Sequence, residues 1–242
     1  MSLPDTHAAR TTILAALRAD APATALPRPD LQPYLQGSYG RGALGPHIHA
    51  ADLVQPFVAA ARAWRAEVLQ TTAGQWMAAV REALLRHGCA RVAVGAASPL
   101  EPGLSEALQG LEVTRFERPL AHWKAELFDA VDAAVTSAAG GIADTGSLLL
   151  LPGPGEPRSL SLVPPVHVAV LRASALHASL PAALRALVAP QPTNPPTNLL
   201  LVTGPSKTAD IQQTLAYGAH GPRELVIVLV DDVSGTAEET QP

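Results

Sequence analysis

Cysteine is almost missing from this chain. Cys89 is the single thiol among 242 residues. An internal disulfide is therefore excluded, and so is an iron–sulfur cluster held by this chain alone, which would take about four thiolates. Cys89 follows Gly88 at an expected helix end, where its ordinary role is that of a small buried hydrophobe. Aromatic residues make up only 4%, so apolar bulk comes from Ala, Leu and Val. No apolar run approaches the ~20 residues of a membrane helix. No basic, apolar leader is visible over residues 1–18, where Asp5 and a helical pattern stand instead, so a cytoplasmic location is expected. There is no excess of basic charge: the net charge is −4 and the sequence pI about 6.0, which gives a nucleic-acid role no electrostatic support. The glycines spell neither GxGxxG nor a Walker lysine motif. His47 and His49 form an HxH pair with no matching ligand cluster after it, so no metal site is expected.

What is present is a core-forming composition with regular punctuation. Hydrophobic residues are 48% of the chain, enough for one medium α/β domain. Residues 6–19 read as an amphipathic helix with Ile13, Leu14 and Leu17 on one face. Residues 22–46 are a linker rich in Pro and Gly. Residues 1–50 are thus an N-terminal arm, 51–233 the compact domain, and 234–242 an acidic tail expected to be disordered. Within the domain, strands are expected at 67–71, 91–95, 111–116, 133–137, 147–151, 166–171, 199–202 and 225–230. Helices are expected at 75–87, 104–109, 122–128 and 180–188, with one more opening near Asp52. This alternation implies a three-layer α/β/α fold on a mostly parallel sheet.

Two groups of polar turns stand out as site candidates. Residues 137–147 read SAAGGIADTGS. Gly140 and Gly141 allow close backbone approach, while Asp144, Thr145 and Ser147, spaced by Gly146, bring a carboxylate and two hydroxyls. Such a turn suits a phosphate, a carboxylate or a ribose; the same residues would equally serve to cap and turn the chain. The second group is in 198–224, NLLLVTGPSKTADIQQTLAYGAHGPRE. After a strand, Gly204 and Pro205 break the chain and Ser206 is placed to cap a helix carrying Ile211 and Leu215 and stopped by Gly218. Ser206 and the helix-start amides would seat an anion, with Lys207 adding charge and Asp210 orienting Lys207 or His220. His220 and Arg223 lie in a second turn, which such a helix holds roughly 15 Å away at ~1.5 Å per residue. Both groups are expected at the carboxyl ends of the strands, where open α/β sheets bind ligands. Between the groups, 151–165 is a long Pro/Gly loop whose Arg158 is read as a solvated charge, and His167 is read as a structural histidine at a strand start.

The blocks 143–147 (ADTGS), 161–168 (SLVPPVHV), 203–211 (TGPSKTADI) and 218–225 (GAHGPREL) resemble the lactate utilization protein C (LutC), or LUD-domain, family. The likeness is strong over about 129–231 and weak before about Val54. Asp144 stands where the family often has Glu, Ser147 where Thr is common, and Lys207 where Arg is common. The resemblance implies an arrangement like the NagB/RpiA/CoA-transferase superfamily. It also implies an accessory subunit in the oxidation of L-lactate to pyruvate, with the iron–sulfur cluster on a partner subunit, a further redox subunit, and no redox cofactor on this chain. A homo-oligomer is compatible with it. Two rivals stand beside it. One is a stand-alone enzyme of that superfamily fold acting on a phosphosugar, CoA ester or folate-type substrate, with Asp144 or Asp210 as its carboxylate. The other is a regulatory module sensing a small carboxylate.

Overall fold

The computed structural model describes residues 6–19, 49–188, 196, 198–209, 215–217 and 221–233. The expected linker at 22–46 and tail at 234–242 lie outside the described residues, as do His47, Asp210 and His220. Helix α1 (Thr6–Ala19) belongs to a unit of its own, Met1–Pro33. Its Ile13, Leu14 and Leu17 recur at helical spacing and are exposed.

The second unit follows in the order α2 (Ala50–Ala63), β1 (Glu67–Thr72), α3 (Trp76–Arg86), β2 (Arg91–Gly95), α4 (Gly103–Ala107), β3 (Glu112–Phe116) and α5 (Lys124–Asp129). Then come β4 (Ala133–Ser137), β5 (Gly140–Ile142), β6 (Ser147–Leu150), α6 (Ser159–Leu162), β7 (Val166–Arg172), β8 (Leu176–His177) and α7 (Leu180–Val188). It closes with β9 (Leu200–Val202), β10 (Lys207–Ala209), β11 (Leu215–Tyr217) and β12 (Glu224–Asp231).

Six of these strands form one sheet in the order β1-β12-β7-β4-β2-β3, and every neighbouring pair runs parallel. Strands buried on both faces read as unbroken apolar runs, and β12 and β7 do so. In each, alternate side chains leave for opposite faces. Val166, Val168, Val170, Val226 and Val228 pack with Val80 and Leu84 of α3 and Leu104 of α4. Ala169, Leu171, Leu225, Ile227 and Leu229 pack with Leu53, Phe57, Val58 and Ala61, the apolar stripe of α2. Farther along that second face, Leu127 of α5 and Leu160 of α6 cover Ala93 and Ala134. Fully burying one such Leu or Val is worth about 1.5–3 kcal/mol. The parallel three-layer arrangement expected from the sequence is present.

Two expectations are corrected. First, 147–151 and 199–202 do not extend the parallel sheet. A second, four-stranded sheet has the order β8-β5-β6-β9, in which β5–β6 and β6–β9 are antiparallel. Its two faces read out in the same alternation: Leu148 and Leu150 join the α2 cluster, while Ile142 and Leu149 join Ala183 of α7. Second, the helix expected after Ser206 is a hairpin. β10 and β11 pair antiparallel, Lys207 opposite Tyr217 and Ala209 opposite Leu215. The physical reason lies at its base. Ser206 N–H donates to the Pro222 carbonyl at 2.8 Å, so both ends of the segment are held at one point. A helix of that length would carry them about 15 Å apart.

Candidate functional site

All six parallel strands point the same way, so the sheet has a carboxyl rim and an amino rim, and polar residues gather at both. At the carboxyl rim β2 ends at Gly95, β4 at Ser137 and β7 at Arg172. The loop after β6 folds back over β2 and β4. Glu156 is its anchor: its carboxylate accepts from Ser137 Oγ at 2.6 Å, from Ser137 N–H at 3.0 Å and from the buried Ser98 Oγ. Ala97 N–H reaches the Gly155 carbonyl at 3.4 Å. This close approach needs Gly95 bare, because a β-carbon there would run into the Gly155 carbonyl oxygen. Beside this clasp a cleft of about 670 Å³ opens between Trp76, Met77, Leu100 and Leu151, with Ser137 and Arg172 at its polar side.

The residues singled out in the sequence lie mostly elsewhere. Gly140 and Gly141 are buried in β5, with Gly141 packed under Phe57, Leu171 and Leu176. They serve strand packing and are not open to solvent. The turn at 144–147 follows β5 and leans on α2, with Gly146 buried against Ala60 and Ala61. Asp144 and Thr145 are exposed and Ser147 is buried. Although Asp144 as a residue is exposed, partial desolvation lifts its carboxyl above the ordinary aspartate range, outweighing hydrogen bonds from its own N–H and from Thr145.

A chain of hydroxyls joins this turn to the second group. Thr145 Oγ1 and Ser147 Oγ are 2.8 Å apart, and Ser147 Oγ and Thr203 Oγ1 2.7 Å. Gly204 follows at φ +74°, in the left-handed region, packed on the Trp64 carbonyl where α2 ends. Lys207 Nζ lies 4.7 Å from the Trp64 ring centroid, a cation–π contact. Ser206 meets Pro222, and Arg223 N–H donates to the Pro165 carbonyl at 2.8 Å; the Arg223 side chain is exposed.

Trp64, Pro165 and Pro222 stand just ahead of β1, β7 and β12 respectively. The sequence-derived groups therefore come together, but at the amino rim and not at the carboxyl rim expected for them. The two turns that a helix would have held apart are adjacent because the chain doubles back as a hairpin. Asp210 and His220 fall outside the described residues. Glu156, the anchor of the carboxyl rim, carried no motif. The signal that could have found it is a lone acid in a Pro/Gly loop that must return across the strand ends.

His167 lies in β7 and is fully buried. Its Nε2 is 2.9 Å from Thr136 Oγ1 and its Nδ1 has no hydrogen-bond partner among the described residues. Burial pushes its pKa down to about 4. It is a neutral core histidine, as read from the sequence. Burial, with Asp132 adding to it, pushes the Cys89 thiol up to about 11. A lone protonated thiol does not fit the ligand set of an iron–sulfur cluster. Among the described residues no three His, Cys, Asp or Glu side chains converge as a metal site would require, and no helix is long and apolar enough to cross a membrane.

Fold and sites define an α/β protein with a parallel six-stranded sheet, a subsidiary antiparallel sheet and polar clusters at both rims. Comparison with known proteins gives its family: residues 54–230 match the LUD domain, and the chain belongs to that family. It is 41% identical over 187 residues to an uncharacterised protein of Neisseria meningitidis serogroup B, covering 76% of this chain and 80% of that one. Over 122 residues it is 35% identical to lactate utilization protein C of Deinococcus radiodurans, covering 50% of this chain and 55% of that protein. The counterpart from Halalkalibacterium halodurans is 30% identical over 132 residues, 54% and 57% of the two chains. The matches thus span little more than half of these two lactate utilization proteins. The crystal structure of a DUF162 family protein from Deinococcus radiodurans superposes with a TM-score of 0.58 at 28% identity, covering 76% of this chain and 99% of that one.

Proposed function

We propose that this chain is a cytoplasmic, LutC-like accessory subunit in the oxidation of L-lactate to pyruvate. Its part is to hold a small anion or a partner subunit at the amino rim of the sheet. Electron transfer then belongs to an iron–sulfur subunit and a further redox subunit, since one buried thiol cannot carry a cluster. The observation that supports this reading is the meeting of the family-like blocks. Ser147 and Thr203 share a hydrogen bond at 2.7 Å, and Ser206 donates to Pro222 at 2.8 Å. This gathers exposed Asp144, Thr145, Lys207 and Arg223 at one end of the molecule. Lys207 and Arg223 bring two cations there and Thr145 a hydroxyl, against the single carboxylate of Asp144, which suits a carboxylate ligand or an acidic partner surface.

The direct test is affinity purification of the tagged chain from cells grown on L-lactate. Co-purification of subunits with iron–sulfur absorbance is expected. Thr145→Ala and Lys207→Ala should weaken it several-fold while leaving the chain folded. Recovery of the chain alone under all conditions would contradict the proposal.

A further inference from the structure

The carboxyl rim has its own cleft, at the opposite end of the strands from the family-like blocks, and nothing in the lactate reading uses it. Its volume, about 670 Å³, falls within the roughly 300–1,000 Å³ usual for small-molecule sites. It also sits where open parallel sheets bind ligands. Trp76, Met77, Leu100 and Leu151 make its walls apolar, and Val170 and Val230 contribute from the strand ends.

Its charges can be followed one by one. Glu101 lines the cleft, but its carboxylate is paired with Arg115 at 2.8 Å and accepts from Ser105 Oγ at 2.8 Å. Arg172 is the one cation among the described residues lining the cleft. Its contact with Asp232 is long, 3.7 Å, and its side chain is 70% exposed. The Asp232 carboxylate is already engaged by Ser174 N–H at 2.9 Å and Ser174 Oγ at 2.7 Å. The floor is held in place from behind, because Ser137, which lines the cleft, donates twice to Glu156. Such preorganisation lowers the cost of binding.

We propose that this cleft binds an organic monocarboxylate with an apolar tail, the tail lying along Trp76, Met77 and Leu151 and the carboxylate meeting Arg172. Lactate, with three carbons and a hydroxyl, has no apolar tail to lay along these walls. An acyl carboxylate of medium length has one, and carries the anion that Arg172 can meet.

The test is isothermal titration calorimetry on the full chain with three probes: octanoate, octanamide, which keeps the tail and drops the charge, and L-lactate, which keeps the charge and drops the tail. Octanoate should bind at least about tenfold more tightly than either of the others, the range of a charge-assisted contact added to a matched apolar one. Arg172→Gln should bring octanoate down to the affinity of octanamide and leave octanamide unchanged; the retained octanamide binding also reports that the variant is folded. Trp76→Ala should weaken both tailed probes. The proposal is overturned if octanoate gives no binding, if it binds no better than octanamide or L-lactate, or if Arg172→Gln binds it as the native chain does. Growth on L-lactate is a separate readout, so failure here leaves the accessory-subunit proposal standing, and the reverse holds too.

Discussion

His167 is the residue on which the core's response to pH turns. Its folded-state pKa, about 4, lies below the ordinary 6.5, so between those values the unfolded chain binds the extra proton. Stability contributed by the neutral histidine is therefore present above about pH 6.5 and is lost as pH falls towards 4. At about 1.4 kcal/mol per pKa unit the loss is about 3 kcal/mol. Urea unfolding at pH 7 and pH 4.5 should record a drop of that order, and His167→Gln should flatten it. An unchanged slope in the variant would assign the effect to other groups. Glu156 holds the loop over the strand ends. Removing its carboxylate leaves the donors of Ser98 and Ser137 without their acceptor, a cost of about 1–3 kcal/mol. Glu156→Ala should lose that much stability and become cleavable by protease within 151–158, whereas a clasp of no consequence would leave both measurements unmoved. His167 was legible in the sequence because a histidine in an apolar strand has few roles. Glu156 was not, because PGPGE reads as solvated loop until the strands beneath it are in place.

At the scale of elements, the sequence was most informative where periodicity was strong. The strand at 91–95, the strand at 133–137 and the helix at 180–188 fall where alternation and spacing put them. It was least informative where long-range pairing decides. Ser206, Ile211 and Leu215 fit a helix by local rule, yet the Ser206–Pro222 bond fixes the ends of that segment together and selects a hairpin. Likewise 147–150 and 200–202 are recognisable strands, but their membership of a second sheet depends on β5 turning back from β4. The joint between α2 and β9 depends on Gly204. Gly204→Ala places a β-carbon on a left-handed backbone, about 1–2 kcal/mol, and drives it into the Trp64 carbonyl as well. The total loss should exceed about 2 kcal/mol in urea unfolding. Lys207→Gln, which removes only an exposed cation–π contact, should cost no more than about 1 kcal/mol. Equal losses for the two would mean that the joint is not where the strain falls.

At the scale of the whole molecule, the two rims of the sheet carry different sets of residues. The amino rim collects the family-like blocks, and their residues reach it from chain positions some sixty apart through one hydroxyl chain, Thr145–Ser147–Thr203. The carboxyl rim carries the Glu156 clasp and the apolar cleft beside it. Family membership was legible from the blocks alone, and the fold class from the alternation of strands and helices. The end of the sheet at which the blocks meet was not, because strand direction in a second sheet leaves no mark on local sequence. The proposal that bears most weight is that this chain serves L-lactate oxidation without carrying the electrons itself. The most direct measurement is growth of a strain lacking this chain on L-lactate as sole carbon source. Growth is expected to fail on L-lactate, to be normal on pyruvate, and to return on L-lactate when the native chain or its Cys89→Ala variant is supplied. Normal growth of the deletion strain on L-lactate would contradict it.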